Sequence, residues 1–242
     1  MNEVFQIAGK LEQKGVLIVA DHASNHVPPE IDLGIAPALL ETHIAWDIGV
    51  AAVAQLMVEQ EGVAAILATN SRLIVDLNRD ADEPAAIPLM SDGVEIPGNI
   101  LGAEERANRL NRYHHPYHLA VAKLISEYEP KLLLSLHSFT PKLTSSPGEA
   151  RPWEVGVLYN QDDRAARLAL PLLAQADLFV GDQLPYSGKD LNATMNRHGE
   201  GTGTAYLGIE MRQDLVASHQ GQKRFASILT EICHKITEKL GQ

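Results

Sequence analysis

A single cysteine, Cys233, stands in 242 residues. No internal disulfide can form, so the fold rests on its apolar core and a cytoplasmic setting is expected. Cys233 falls in FASILTEICHKITEKL, a C-terminal helical pattern, where packing accounts for it better than nucleophilic chemistry. Basic charge is scarce as well. Twenty Lys and Arg stand against 31 Asp and Glu, a formal net charge of −11, and the pI is about 5.3. That balance argues against nucleic acid or an anionic membrane as partner. Arginines gathered in a cleft can still receive an anionic substrate. No apolar run approaches membrane-spanning length. The first residues, MNEVFQIAGKLEQKG, have neither a basic start nor a long apolar run, so no signal peptide is expected.

Core-forming material is plentiful: 45% of the residues are hydrophobic, enough for one domain over residues 1–242. Apolar runs alternate with helical patterns. Strands are expected at 16–21, 63–69, 72–78, 131–139, 153–160 and 204–215. Helices are expected at 46–62, over most of 102–130 with Pro116 at a kink, from Asp162 to Ala176, and after Ser218. This alternation predicts an α/β fold: a three-layer sandwich with a mostly parallel mixed central sheet and helices on both faces. The stretches 80–102, 140–152 and 181–203 read as long loops, a place where function concentrates.

Ligands of such sheets bind outside the carboxyl ends of the strands. There the sequence sets a dense polar group. The run VLIVA stops on Asp21-His22, followed closely by Asn25 and His26. His137 stands where KLLLSL runs out, and Glu210 lies in the late strand YLGIEMRQD. A hydrolytic zinc site needs about three protein ligands and a nearby carboxylate that takes a proton from water. His22 and His137 offer nitrogens. Asp47, in HIAWDIG, is the best third ligand, with Asn25 and His26 as rivals. One divalent ion, zinc, is therefore the expected cofactor.

Five segments in order, VADHASNHVPPEI, HIAWDIG, SRLIVDLNRD, LLSLHSFTP and GIEMRQDL, resemble the N-formylglutamate amidohydrolase family from about Val16 to Val216. That family is similar in fold to zinc carboxypeptidases and zinc-dependent peptidoglycan amidases. The resemblance implies metal roles for His22 and His137 and a general-base role for Glu210. It departs at one position: the carboxypeptidase His-x-x-Glu becomes His22-x-x-Asn25 here. Asn is a poor zinc ligand, and the amidases place a carboxylate near the start of the next helix, where Asp47 falls.

Asn78-Arg79 resembles the pair with which carboxypeptidases hold a substrate carboxylate, and an arginine fork suits that group. Pairing of Arg79 with Asp76 or Asp80 is the competing expectation. Arg72 is a further candidate for substrate binding. Arg212, two residues from Glu210, is expected to stabilise an oxyanion or to neutralise Glu210. The loop 182–203 holds Tyr186, Thr194 and His198 and is expected to cover the substrate. YHHPYH (113–118) reads as a helix face rather than a second metal site. The implied activity is hydrolysis of N-formyl-L-glutamate, or a related small N-acyl amino acid. A peptidase or peptidoglycan amidase of the same fold is the alternative, as is a non-catalytic binding relative.

Overall fold

In a computed structural model that describes residues 4–241, the strands are β1 (Phe5–Gly9), β2 (Val16–Ala20), β3 (Val63–Ala68), β4 (Met90–Ser91), β5 (Val94–Glu95), β6 (Leu132–Phe139), β7 (Val155–Leu158), β8 (Val180–Asp182) and β9 (Tyr206–Arg212). The helices are α1 (Val50–Met57), α2 (Ala103–Arg109), α3 (His115–Tyr128), α4 (Arg164–Gln175), α5 (Ala193–His198), α6 (Gln213–Val216) and α7 (His219–Leu240). β4 and β5 form a small hairpin; the other seven strands make one sheet in the order β1-β3-β2-β6-β9-β7-β8. β1 and β3 run antiparallel, as do β7 and β9, and the remaining pairings are parallel.

Alternation along β2 shows why helices must cover both faces. Val16, Ile18 and Ala20 point into a core shared with α1, α4 and α7. Leu17 and Val19 point the other way, onto Tyr117, Val121 and Leu124 of α3. With both faces buried, β2 reads as an unbroken apolar run and β6 is apolar except at Ser135, His137 and Ser138, close to the pattern of parallel strands. The three-layer α/β expectation is met. No helix among the described residues is long and apolar enough to cross a membrane.

Residues 72–78, expected as a strand, form consecutive turns instead. Ile74 N–H donates to Ser71 O and Arg79 N–H to Asp76 O. Leu73, Ile74, Val75 and Leu77 are buried all the same, so the apolar run reports burial and not a ladder. The edge beside β3 that this run would fill is taken by β1. The helix expected over 46–62 is confined to Val50–Met57. Its start is fixed by Gly49, at φ 87°, where an added Cβ would lie 2.5 Å from Val216 O. The long helix over 102–130 is broken by a π-helical turn at Leu110–His114, which sets Pro116 in the first turn of α3, where a proline's missing N–H is tolerated. The loop 80–102 contains the β4–β5 hairpin, turned by Asp92-Gly93, both at positive φ, as such a dipeptide favours. The loop 181–203 contains α5.

Candidate active site

β2, β6 and β9 are adjacent and parallel, so their carboxyl ends open on one edge of the sheet. His22 follows β2 by two residues. His137 and Glu210 sit directly opposite one another near the ends of β6 and β9. Asp47 comes to them from the loop before α1, its N–H donating to His22 O at 2.9 Å. Ser138 fixes that loop from the other side, donating Oγ to Ile48 O at 2.8 Å and its N–H to the Asp47 carboxylate at 3.3 Å.

The Asp47 Oδ2 atom lies 2.9 Å from His137 Nδ1 and 3.5 Å from His22 Nδ1. One ligand atom from each of His22, Asp47 and His137 falls within 4.8 Å of the others. Donors about 2.0–2.1 Å from a tetrahedral zinc ion are roughly 3.3 Å apart, so the group fits a divalent ion. His22 Nδ1 and Glu210 Oε2 are buried and have no hydrogen-bond partner. Buried polar atoms are rarely left without one, and a bound cation would satisfy the ring nitrogen. Asn25 and His26 stay outside: Asn25 donates to Leu40 O and His26 is exposed.

Behind the ligand candidates stand further carboxylates. His22 Nε2 is 2.7 Å from Asp76 Oδ1, and His137 Nε2 is 3.9 Å from Asp21 Oδ2. Asp21 is fully buried and accepts from Tyr117 OH at 2.8 Å. Of the two, only Asp76 is within hydrogen-bond distance of its imidazole, and a carboxylate so placed sets the tautomer and orientation of a ligating ring. Burial and the Arg72 cation oppose protonation of His22, but Asp76 and Asp47 outweigh them and lift it to about 9. Burial likewise opposes the charged form of Asp47, while His22 and His137 hold its carboxyl well below the usual range. Burial lifts Glu210 to about 7, against the pull of His137.

These groups line a cleft of about 280 Å³, shared with Arg72, Asp76, Asn78, Arg79, His43, Asp92, Thr140 and Tyr186. Arg72 is committed to Asp76 at 2.7 Å and approaches Asp47 at 3.5 Å, so it faces the carboxylates around His22. Arg79 pairs with neither Asp76 nor Asp80. The carboxylate it meets is Glu83, at 3.9 Å on the surface, and Asp80 pairs with Arg197. Asn78 accepts through Oδ1 from Thr194 N–H at 3.0 Å, which orients its NH₂ end.

Two expected site residues do not reach the cleft. Arg212 is drawn to adjacent segments of its own chain: its Nε donates to Asp214 at 2.8 Å and its Nη1 to Pro152 O at 3.0 Å. Strand alternation placed it on the Glu210 side, but Arg212 is the last strand residue, and its guanidinium turns to Asp214 at the start of α6. His198 is buried in α5 and lies 2.9 Å from His118 Nδ1. The YHHPYH cluster makes a clamp: His118 Nε2 meets Leu77 O at 3.0 Å and His114 Nε2 meets Arg79 O at 2.9 Å. Thr194 Oγ1 adds a bond to Leu77 O. The turn that carries Asn78 and Arg79 is thus held through its carbonyls from the π-helical turn, α3 and α5.

Sequence reading missed Asp76 as a partner of His22, although Arg72 and Asp76 stand at i,i+4. It also missed Asp92 and His43, for which Asp92-Gly93 was the available signal. Asp92 accepts from His43 Nε2 at 3.0 Å and from Thr144 N, Ser145 N and Ser145 Oγ. It ties the loop after β6 across the mouth of the cleft.

A gene product of Agrobacterium tumefaciens has a solved structure that superposes with a TM-score of 0.93 at 30% identity, over 100% of this chain and 97% of that one. The N-formylglutamate amidohydrolase of Ralstonia eutropha superposes with a TM-score of 0.73 at 19% identity, over 98% and 97% of the two chains, a likeness of fold. No curated protein sequence matches. The sequence model of one family, described as N-formylglutamate amidohydrolase, matches residues 14–217, and at that coverage the chain belongs to the N-formylglutamate amidohydrolase family.

Proposed function

We propose that the protein, as one catalytic domain over residues 1–242, is a zinc-dependent amidohydrolase. Its substrate is N-formyl-L-glutamate or a closely related N-acyl amino acid, cleaved to the acid and the free amino acid. The observation that carries this reading is the meeting of His22, Asp47 and His137 on one point beside Glu210, whose Oε2 is buried and unpartnered. A set of two imidazoles and one carboxylate suits zinc and leaves a coordination position open. Such an ion supplies Lewis-acid polarisation of an acyl carbonyl and activation of water.

The remaining work belongs to the chain's own side chains. Glu210 stands outside the ligand set and takes the proton of the attacking water, then delivers it to the leaving nitrogen as the C–N bond breaks. Arg72 holds Asp76 and Asp47 as carboxylates, so the ligands stay charged and aligned. Arg79 and the Asn78 NH₂ receive the α-carboxylate of the substrate at the opposite wall. Tyr186 adds a hydroxyl; burial raises its pKa, which keeps it a donor. His198 and Arg212 take no part in this scheme.

Metal analysis of the purified protein and formate release from a panel of N-formyl amino acids test the reading. About one bound zinc per chain and release of formate from N-formyl-L-glutamate are expected. A protein that binds no divalent ion is not this enzyme. One that binds metal and acyl amino acids without turnover is a non-catalytic relative.

A further inference from the structure

Arg151 is buried, at 6% exposure, yet among the described residues no carboxylate lies within ion-pair distance of it. Its Nη1 donates to two neutral oxygens, Tyr186 OH at 2.9 Å and Thr140 O at 3.4 Å. Its Nε has no partner at all. The guanidinium also stacks on the Tyr186 ring, 4.9 Å from the centroid. A buried cation without a counter-ion is strongly disfavoured, and in a chain of net charge −11 acidic partners are abundant. An anionic ligand would supply the counter-charge. Both oxygens that Arg151 touches belong to residues lining the cleft, so the anion belongs to whatever the cleft binds.

Tyr186 passes the charge forward. Its hydroxyl accepts from Arg151, and its own proton has no acceptor among the described residues. A phenol that accepts from a guanidinium becomes a stronger donor to the next group in line. The Asn78 and Arg79 wall provides for one carboxylate. The Tyr186 and Arg151 pair provides for another, and with Arg212 and His198 both turned away from the cleft, Arg151 is the buried cation next to it that no acid neutralises.

We propose that Tyr186, positioned and polarised by Arg151, forms a second anion subsite of the cleft, and that this subsite selects ligands carrying two carboxylates. Tyr186 makes the contact; Arg151 acts through it. The inference rests on the amidohydrolase reading for the word substrate, but the anion subsite itself does not.

Two measurements separate the two ideas. The first compares kcat/KM for N-formyl-L-glutamate and its neutral isostere N-formyl-L-glutamine. The natural chain is expected to favour the glutamate, and Arg151→Met to reduce that preference at least tenfold, the scale of one charge-assisted bond. The loss should fall on KM for the glutamate substrate rather than on its kcat. Arg151→Lys should restore part of the preference, which a purely structural staple would not do. Tyr186→Phe, which keeps the ring and its stacking, should lose the same preference, and the double variant should lose little more.

The second measurement is calorimetric binding of glutarate and its half-amide, and needs no turnover. Glutarate should bind the natural chain at least tenfold more tightly than the half-amide, and Arg151→Met should abolish the difference. If neither formyl substrate is hydrolysed, the amidohydrolase reading falls while glutarate binding still decides the subsite. Equal binding of glutarate and half-amide by the natural chain overturns the subsite. So does an Arg151→Met or Tyr186→Phe variant that keeps the preference for the dicarboxylate.

Discussion

Asp76 Oδ1 holds His22 Nε2 at 2.7 Å, and that bond turns the opposite ring nitrogen, Nδ1, toward Asp47. The carboxylate is itself held by Arg72. Removing it frees the ring to rotate and leaves Arg72 unpaired. Asp76→Ala is expected to weaken zinc binding by about 10–100-fold, measured by competition with a chelator. Asp76→Asn, which keeps an acceptor oxygen, should fall between the two. Unchanged affinity in Asp76→Ala would mean that His22 is not a ligand.

Glu210 has the opposite signature. It faces His137 across the strand pair but lies outside the ligand group. Glu210→Gln is expected to bind zinc as the natural chain does and to lose on the order of a hundredfold or more in kcat, the contribution of a positioned proton carrier. Metal content and turnover measured on the same preparation decide it. A variant that is active, or that loses its metal, removes Glu210 from the base role.

These contrasts mark what the sequence made legible. Strand ends carry position in an α/β sheet, so the sequence alone brings His22, His137 and Glu210 to one edge. Asp47 followed because its loop leads straight into a helix. Side-chain direction after a strand ends is another matter. Nearness to Glu210 in sequence suggests Arg212 and membership of a covering loop suggests His198, and both find partners elsewhere, Asp214 and His118. The turns at 72–78 were unreadable because an apolar run reports burial alone. Asp92, Asp76 and Arg151 act on residues 49–53, 54 and 35 positions away in the chain, distances over which no local pattern carries information.

Asp92 links the two walls of the cleft mouth, and its carboxyl is held below the usual range. Burial works against ionisation there, but bonds from Ser145, Thr144 and His43 outweigh it. A carboxyl depressed in the folded state stabilises the fold above its ordinary value of 3.8, and that contribution is lost as pH falls through the folded value. Asp92→Ala is expected to lower Tm by roughly 3–10 °C at neutral pH, given charged bonds worth about 1.5–3 kcal/mol. The gap to the natural chain should close as the pH is taken well below 3.8. Thermal melts at a series of pH values check it; a gap that persists in acid would assign the loss to packing.

Cys233 is fully buried, and burial pushes its thiol up to about 12. A thiol that stays protonated is neither a nucleophile nor a ready target. The folded protein is expected to resist alkylation by iodoacetamide and to keep full activity after exposure to it. The unfolded chain should take up one equivalent. Inactivation that tracks labelling of the folded protein would contradict both the packing role and the metal-based reading.

The turn bearing Asn78 and Arg79 separates contact from support. Arg79 is the group expected to touch the substrate carboxylate, and it carries only a long surface pairing with Glu83, so it is free to do so. Arg79→Ala should mainly raise KM if the contact is equally strong in ground and transition states, by roughly 10–150-fold for a charge-assisted bond of about 1.5–3 kcal/mol. His118 touches no substrate. It steadies the turn by donating Nε2–H to Leu77 O, while its Nδ1 accepts from His198. That arrangement requires a neutral ring, and burial with His114 beside it holds His118 down to about 2. The ring therefore stays neutral across about pH 5–9, where an ordinary histidine would titrate. His118→Leu is expected to raise KM for N-formyl-L-glutamate several-fold, by the same factor at each pH in that range, and His118→Gln, which keeps a donor, should recover part of it. Steady-state kinetics at three pH values on both variants distinguish the cases. A KM effect that grows as pH falls would show a charged His118 and break the clamp. A loss confined to kcat would place the turn's role in the chemical step instead of in holding the carboxylate.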